Sequence, residues 1–239
     1  SSDLLDFCAG ICYTACAFLP ASGGIPMLSS FRNLTLRRVL VMLLGIVLLS
    51  IGVALFDFSR MGNDPSTSVV IALGDQTGLG LSRMMLLCNS VYFIVEILLA
   101  RGMIGLGTFV NWTCIGPIAE VLLARMYRVP WLCEGDVSFP VRLGIMLLGV
   151  LILSLGASMY QTADTGIAPY DALSIILSRR QSKVPYFWCR IATDSICAIA
   201  AALLGGVIGI GTLICALGLG PFITFFDRLI SRKLCGLPT

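Results

Sequence analysis

The chain has 239 residues, 57% of them of the types AVILMFWYC, with a mean hydropathy of +0.95 and only 12% charged. So few charges cannot cover the surface of a soluble fold of this length, so the composition points to an all-α polytopic membrane protein. The net charge of +3 and the absence of His exclude a nucleic-acid partner and remove the commonest metal ligand and proton relay.

Taken in chain order, residues 1–37 read as an N-terminal extension. Its apolar stretch Leu4–Pro20 contains Asp6 and lacks a basic leader, which suits an interfacial helix better than a crossing or a signal peptide. Cys8, Cys12 and Cys16 share one helical face there. Most of the remaining cysteines fall in apolar runs and read as small buried side chains. Four segments follow within 38–128: a long apolar helix (Val39–Phe58), a short helix opening at proline (Pro65–Gly74), a third (Leu81–Ala100) and a last one (Ile104–Tyr127) with Pro117 near its middle. Residues 129–141 are a connecting loop. The series then returns within 142–234 as Val141–Gln161, Pro169–Ser178, Pro185–Leu204 and Ile208–Ile230, the last with Pro221.

The return is an internal duplication. With a shift of 104 residues, Arg38–Tyr127 aligns without a gap on Arg142–Ser231, and 20 of 90 pairs are identical. Seven of the first copy's ten glycines match, as do both of its prolines. Gly62-x-x-Pro65 returns as Gly166-x-x-Pro169, and Gly105-x-Gly107-Thr108 as Gly209-x-Gly211-Thr212. Glycine and proline fix backbone geometry, so the copies are expected to share a backbone path. Three segments per copy reach the roughly 20 residues of a spanning helix; the short ones do not. Positive charges lie at matching places in both copies, which favours parallel copies with eight crossings and both termini cytoplasmic. In that arrangement 14 of the 16 Lys and Arg residues share one side. The alternative is six crossings in inverted copies with re-entrant short helices, which splits these residues eleven against five.

Gly166-Ile-Ala-Pro169-Tyr170-Asp171-Ala172-Leu173 after a long helix, with Gly-x-Gly-Thr opening each last helix, resembles the YczE/YyaS/YitT-like family of bacterial integral membrane proteins. The resemblance covers residues 38–231. The first copy departs from the pattern, with Thr67 where the second has Asp171. It implies a protein of the bacterial inner membrane and names no activity.

The chemistry is expected where helices break, at Gly62, Pro65, Gly166 and Pro169, with Pro117 and Pro221 opening the last helices. A short helix at membrane depth leaves unpaired N–H groups and a positive dipole end. Asn63, Asp64, Ser66 and Thr67 are expected to line one side of a cavity between the copies, and Asp164, Tyr170 and Asp171 the other. Capping is the local alternative for Asp64 and Asp171. Asp194 is at mid-helix, four residues after Arg190, so a buried ion pair is expected there. Asn89 and Thr193 put a polar position beside it in both copies. Glu120 is a candidate ion-coupling carboxyl, whereas Glu96, close to Arg101, is expected to snorkel. The Gly-x-Gly-Thr pairs suit tight packing rather than phosphate binding.

These features favour a small-solute transporter or permease with a cavity between two repeats. A membrane-embedded regulatory or assembly subunit is the alternative. An intramembrane enzyme is weaker, since no hydrolase or metalloprotease motif is present. The expected partners are the lipid bilayer and a small-molecule or ion substrate, with no cofactor and no metal; an oligomer is compatible with the sequence.

Overall fold

The protein is described by a computed structural model covering residues 34–128, 138–181, 184, 186–206 and 208–237. The N-terminal cysteines, most of the connecting loop, Lys183 and Pro185 lie outside the described residues. The elements are α1 (Leu36–Ser59), α2 (Pro65–Thr77), α3 (Leu81–Leu99), a 3-10 turn (Arg101–Met103), α4 (Leu106–Met126), α5 (Phe139–Thr162), α6 (Pro169–Arg180), α7 (Tyr186–Leu203), α8 (Ile210–Phe226), a π-helical turn (Asp227–Ser231) and α9 (Arg232–Cys235). No strand occurs among the described residues. Among the described residues, five stretches are long and apolar enough to cross a membrane: α1, α3, α4, α5 and the continuous run Ile210–Cys235. Leu40, Leu43, Leu44 and Val47 of α1 and Leu147, Leu148 and Leu151 of α5 are exposed. In water that surface would be a liability; against lipid tails it costs nothing.

The centre is the pair α1 and α5, pressed backbone to backbone at glycines. A Cβ at Gly156 would sit 2.7 Å from the Gly45 carbonyl oxygen, and one at Gly52 2.6 Å from Leu153 Cβ. Close approach at small residues is how helices pack where no hydrophobic effect drives them together. The pair is antiparallel. Gly45 meets Gly156 and Tyr160, Gly52 meets Leu153, and Gly149 meets Leu55 and Phe56. At the end of this ladder Arg142 donates through Nε to Ser59 O and through a second guanidinium nitrogen to Arg60 O, both at 2.8 Å. A cation thereby closes the negative C-terminus of α1.

Parallel copies with four crossings each would make α1 and α5 parallel, and the two helices run antiparallel. Loop charge is a bias on orientation, whereas helix packing reports relative direction.

α4 lies along α1 with the same direction, since Phe58 and Tyr127 stack near both C-termini at 5.2 Å between ring centroids. α8 runs with α5, and its continuation is tied to the end of α5 by Ser158–Ser231 (2.7 Å) and Thr162–Asp227 (2.6 Å). The short helices are exchanged: α2 packs on α7, and α6 on α3.

The two glycine motifs explain each other. The Met61 carbonyl accepts from Gly211 N–H at 2.9 Å, and the Thr165 carbonyl accepts from Gly107 N–H at 2.9 Å. Each G-x-x-P bend is therefore bonded to the Gly-x-Gly-Thr helix start 104 residues from its own. Gly62 and Gly166 take φ of +98° and +125°, a region open to glycine, and Thr108 Oγ1 donates to Ile167 O at 2.8 Å.

Pro65 and Pro169 open their helices at the first position, as expected. Pro117 and Pro221 do not break theirs: α4 and α8 run through them. Each removes one N–H, and at membrane depth packing on neighbouring helices keeps such a helix continuous.

Candidate functional site

The start of α6 faces the first half of α7, and the polar residues of both meet in a buried network. Proline at the first helical position fixes the start of α6, so Tyr170 and Asp171 project from its first turn. Arg190 and Asp194 share one face of α7, and Arg190 Nε donates to Asp194 Oδ2 at 3.3 Å, the pair expected from the spacing. Two further contacts enlarge it. Arg190 donates to Asp171 Oδ1, and Tyr170 donates through its hydroxyl to Asp194 Oδ1 at 2.5 Å. The Arg190 guanidinium also lies 5.1 Å from the centroid of the Tyr170 ring. Gln161, in the last turn of α5, donates to Asp171 Oδ2 at 3.2 Å. Asp194 is 1% exposed and Asp171 7% exposed, so both carboxylates depend on these partners rather than on water.

The first copy approaches through two acids. Asp64 is the N-cap of α2 and accepts from Thr67 N–H at 3.1 Å, the local role foreseen for it. It also lies within electrostatic reach of Arg190, Asp171 and Asp194. Glu96 on α3 lies within electrostatic reach of Asp171. It does not snorkel: it is 0% exposed, and neither carboxyl oxygen has a hydrogen-bond partner among the described residues. The helix turn beyond it ends in the buried Ala100 and Met103, so the side chain has no short path to water. Its signal in the sequence was the apolar company of Tyr92, Val95 and Ile97, with Ala200 at the matching position in the second copy.

Other expected residues lie elsewhere. Glu120 is exposed on α4, close to Gly80, and does not join the network. Asp164 is exposed at a left-handed residue of the bend (φ +51°), so it does not line a shared cavity. Thr67 is buried in the first turn of α2, and Asn89 is half-buried on α3. Thr193 bonds its own helix at Arg190 O.

A cavity of about 570 Å³ opens beside the network rather than over it. Phe56, Asp57 and Arg60 from the end of α1, Asn63 from the bend, and Leu79 and Leu81 from the start of α3 line it. The end of α1 and the start of α3 therefore share one face, with α2 between them. Asn63, at the cavity wall, is hydrogen-bonded to Asp57 and precedes Asp64, so the cavity lies next to the acids of the network.

Residues 36–228 match a family described as a family of unknown function, DUF6198. Among curated proteins, an uncharacterized protein of Haemophilus influenzae is 27% identical over 198 residues, covering 82% of this chain and 86% of its own. Uncharacterized protein YyaS of Bacillus subtilis is 25% identical, covering 79% and 92% respectively. Uncharacterized membrane protein YczE of the same organism is 24% identical, covering 76% and 81%. YyaS and YczE are the relatives that the glycine and proline motifs implied. No solved structure shows a significant match.

Proposed function

The chain belongs to the DUF6198 family of unknown function, and we propose that this integral membrane protein is a small-solute transporter built from two inverted copies of one unit. In this reading each copy, 38–128 and 142–234, contributes three crossings, and its short helix enters and leaves on one face. The antiparallel packing of α1 on α5 supports the inversion. Copies related by a two-fold axis in the membrane plane place their first helices in opposite directions. The shared cavity wall of α1 and α3 supports a re-entrant α2. The termini and the second short helix fall on the side with more Lys and Arg, which is then the cytoplasm of an inner membrane.

One observation carries the transport reading. The network of Asp171, Arg190, Asp194 and Tyr170 is confined to the second copy; the matching first-copy residues are Thr67, Leu86, Ser90 and Ser66. A fold that repeats does not need a network that does not. Buried ionisable groups beside a helix start, at the boundary of two inverted units, suit a solute site that rocking of one unit against the other exposes alternately. The tight glycine packing of α1 on α5 favours the second reading, a regulatory or assembly subunit without transport.

Counterflow in proteoliposomes separates the two. Vesicles loaded with unlabelled glycine, 4-aminobutyrate, guanidinium, ethylammonium or acetate are diluted into the radiolabelled solute. Transport predicts transient accumulation of at least one label. Asp171→Asn should then slow it roughly tenfold or more, the rate equivalent of a lost hydrogen bond to a charged group. No accumulation of any label above empty vesicles would favour the subunit reading.

A further inference from the structure

Resting on the transport reading, we propose that Glu96 carries a proton that it releases when an organic cation binds, so that the chain exchanges protons for a cationic solute. Glu96 is wholly buried on a membrane-spanning helix, and both its carboxyl oxygens lack a partner among the described residues. An ionised carboxylate in that position would be neither hydrated nor paired, so the neutral acid is the form the site accommodates at rest.

The surrounding charges explain why Glu96 is left unpaired. Asp64, Asp171, Asp194 and Glu96 act on one another or on Arg190, the one cation among the described residues that acts on Asp64 and Asp194. The guanidinium is already engaged by Asp171, Asp194 and the Tyr170 ring. Of the elements packed on α3, namely α2, α4, α6 and the 3-10 turn, whose exposed Arg101 donates to Ile97 O, it is α6 that supplies the charge acting on Glu96, through Asp171; Arg190 stands behind Asp171. Four carboxyls to one guanidinium leave a deficit of positive charge.

Two acceptors at the start of α2, Asn63 Oδ1 and Asp64 Oδ1, likewise have no partner among the described residues, and Asn63 lines the cavity. A site with buried acceptors and too few cations takes a ligand that brings N–H donors and a positive charge. No group of three or more metal-ligating side chains could hold a metal ion among the described residues. Spread acceptors fit the separate N–H groups of an ammonium or guanidinium better than a compact metal shell. In the exchange, the Glu96 O–H bond breaks, its proton passes to water admitted with the solute when one unit rocks against the other, and the carboxylate left behind pairs with the incoming cation. No electron is transferred. Ala200 occupies the matching position of the second copy, so the fold itself does not require the acid.

Two measurements on the full chain test this. The first is infrared difference spectroscopy between neutral and alkaline pH in lipid. Wild type should show a protonated-carboxyl C=O band that Glu96→Gln lacks; an unchanged band in the variant overturns the proposal. The second is proton release into proteoliposomes containing a pH dye, on addition of guanidinium or ethylammonium chloride. Wild type should release protons, Glu96→Asp should retain part of the signal, and Glu96→Gln should lose it while eluting and melting as wild type. Proton release that survives in Glu96→Gln, or that potassium chloride evokes equally, overturns it. If counterflow of a solute occurs without proton movement, this inference fails and transport stands. If wild type moves no solute at all, the transport reading fails as well.

Discussion

Arg190 is the residue on which the buried network turns. It meets two carboxylates and an aromatic ring, and none of these has bulk water in reserve. Removing one partner of a buried ion pair leaves an uncompensated charge, which typically costs about 3–5 kcal/mol. Arg190→Leu is therefore expected to lower the thermal midpoint in detergent far more than Asp194→Asn, which leaves the guanidinium bound to Asp171. Equal loss in both variants would mean that Asp171 does not hold the guanidinium. Tyr170→Phe should cost about 1.5–3 kcal/mol, the range for a hydrogen bond to a charged group; an unchanged midpoint would contradict the Tyr170–Asp194 contact. Part of this was legible in the sequence. Four-residue spacing on one helix gives the Arg190–Asp194 pair directly, and a mid-helix acid must face protein. The tie to Asp171 was not legible, because helix periodicity says which residues share a face and not which helix that face meets. Glu96 was expected to snorkel and is buried for the same reason: depth along a helix was visible, and the direction of the side chain was not.

At the scale of the elements, the account rests on glycine contacts across the copies. Gly52→Leu is expected to split α1 from α5, since even a Cβ there would meet Leu153 at 2.6 Å. Over-packing of this kind costs about 1–3 kcal/mol or more, and it should appear as a lower midpoint and a broader elution profile. Gly144→Leu, on the outward side of α5 with nothing within 4 Å of its Cβ position, should leave both unchanged. Gly62→Ala should be worse than its size suggests, because it meets Thr212 Oγ1 and also needs φ of +98°. Helix starts were read from the sequence to the residue at Pro65 and Pro169, because proline at the first position has a local cause. Helix ends ran longer than expected, to Thr77, where Gly78 caps the helix at φ +71°, and to Arg180. The continuity of α4 and α8 through proline was missed, because it depends on neighbours rather than on the proline. That the glycine motifs matter was plain from their return; that each motif bonds the other copy's partner needed the three-dimensional arrangement.

For the whole molecule, the central claim is that the two copies are inverted. Sparse charge and short helices opening at proline were legible in composition and spacing. Relative orientation is not legible there, because positive charges at matching places favour parallel copies, whereas the proposal takes them as inverted. Under inversion, Arg60, Arg83, Arg125, Arg128 and Arg142 fall on the face where α1 ends, and the opposite face keeps the larger share of the 16 Lys and Arg residues. The direct measurement uses Thr77 and Gln181, matching positions at the ends of the two short helices. Each is replaced singly by cysteine after the ten native cysteines are removed, and each variant is labelled with an impermeant thiol reagent on intact cells and on inverted membrane vesicles. The account predicts labelling of Thr77→Cys from the outside and of Gln181→Cys from the cytoplasmic side. Labelling of both from the same side would contradict it and restore the parallel arrangement.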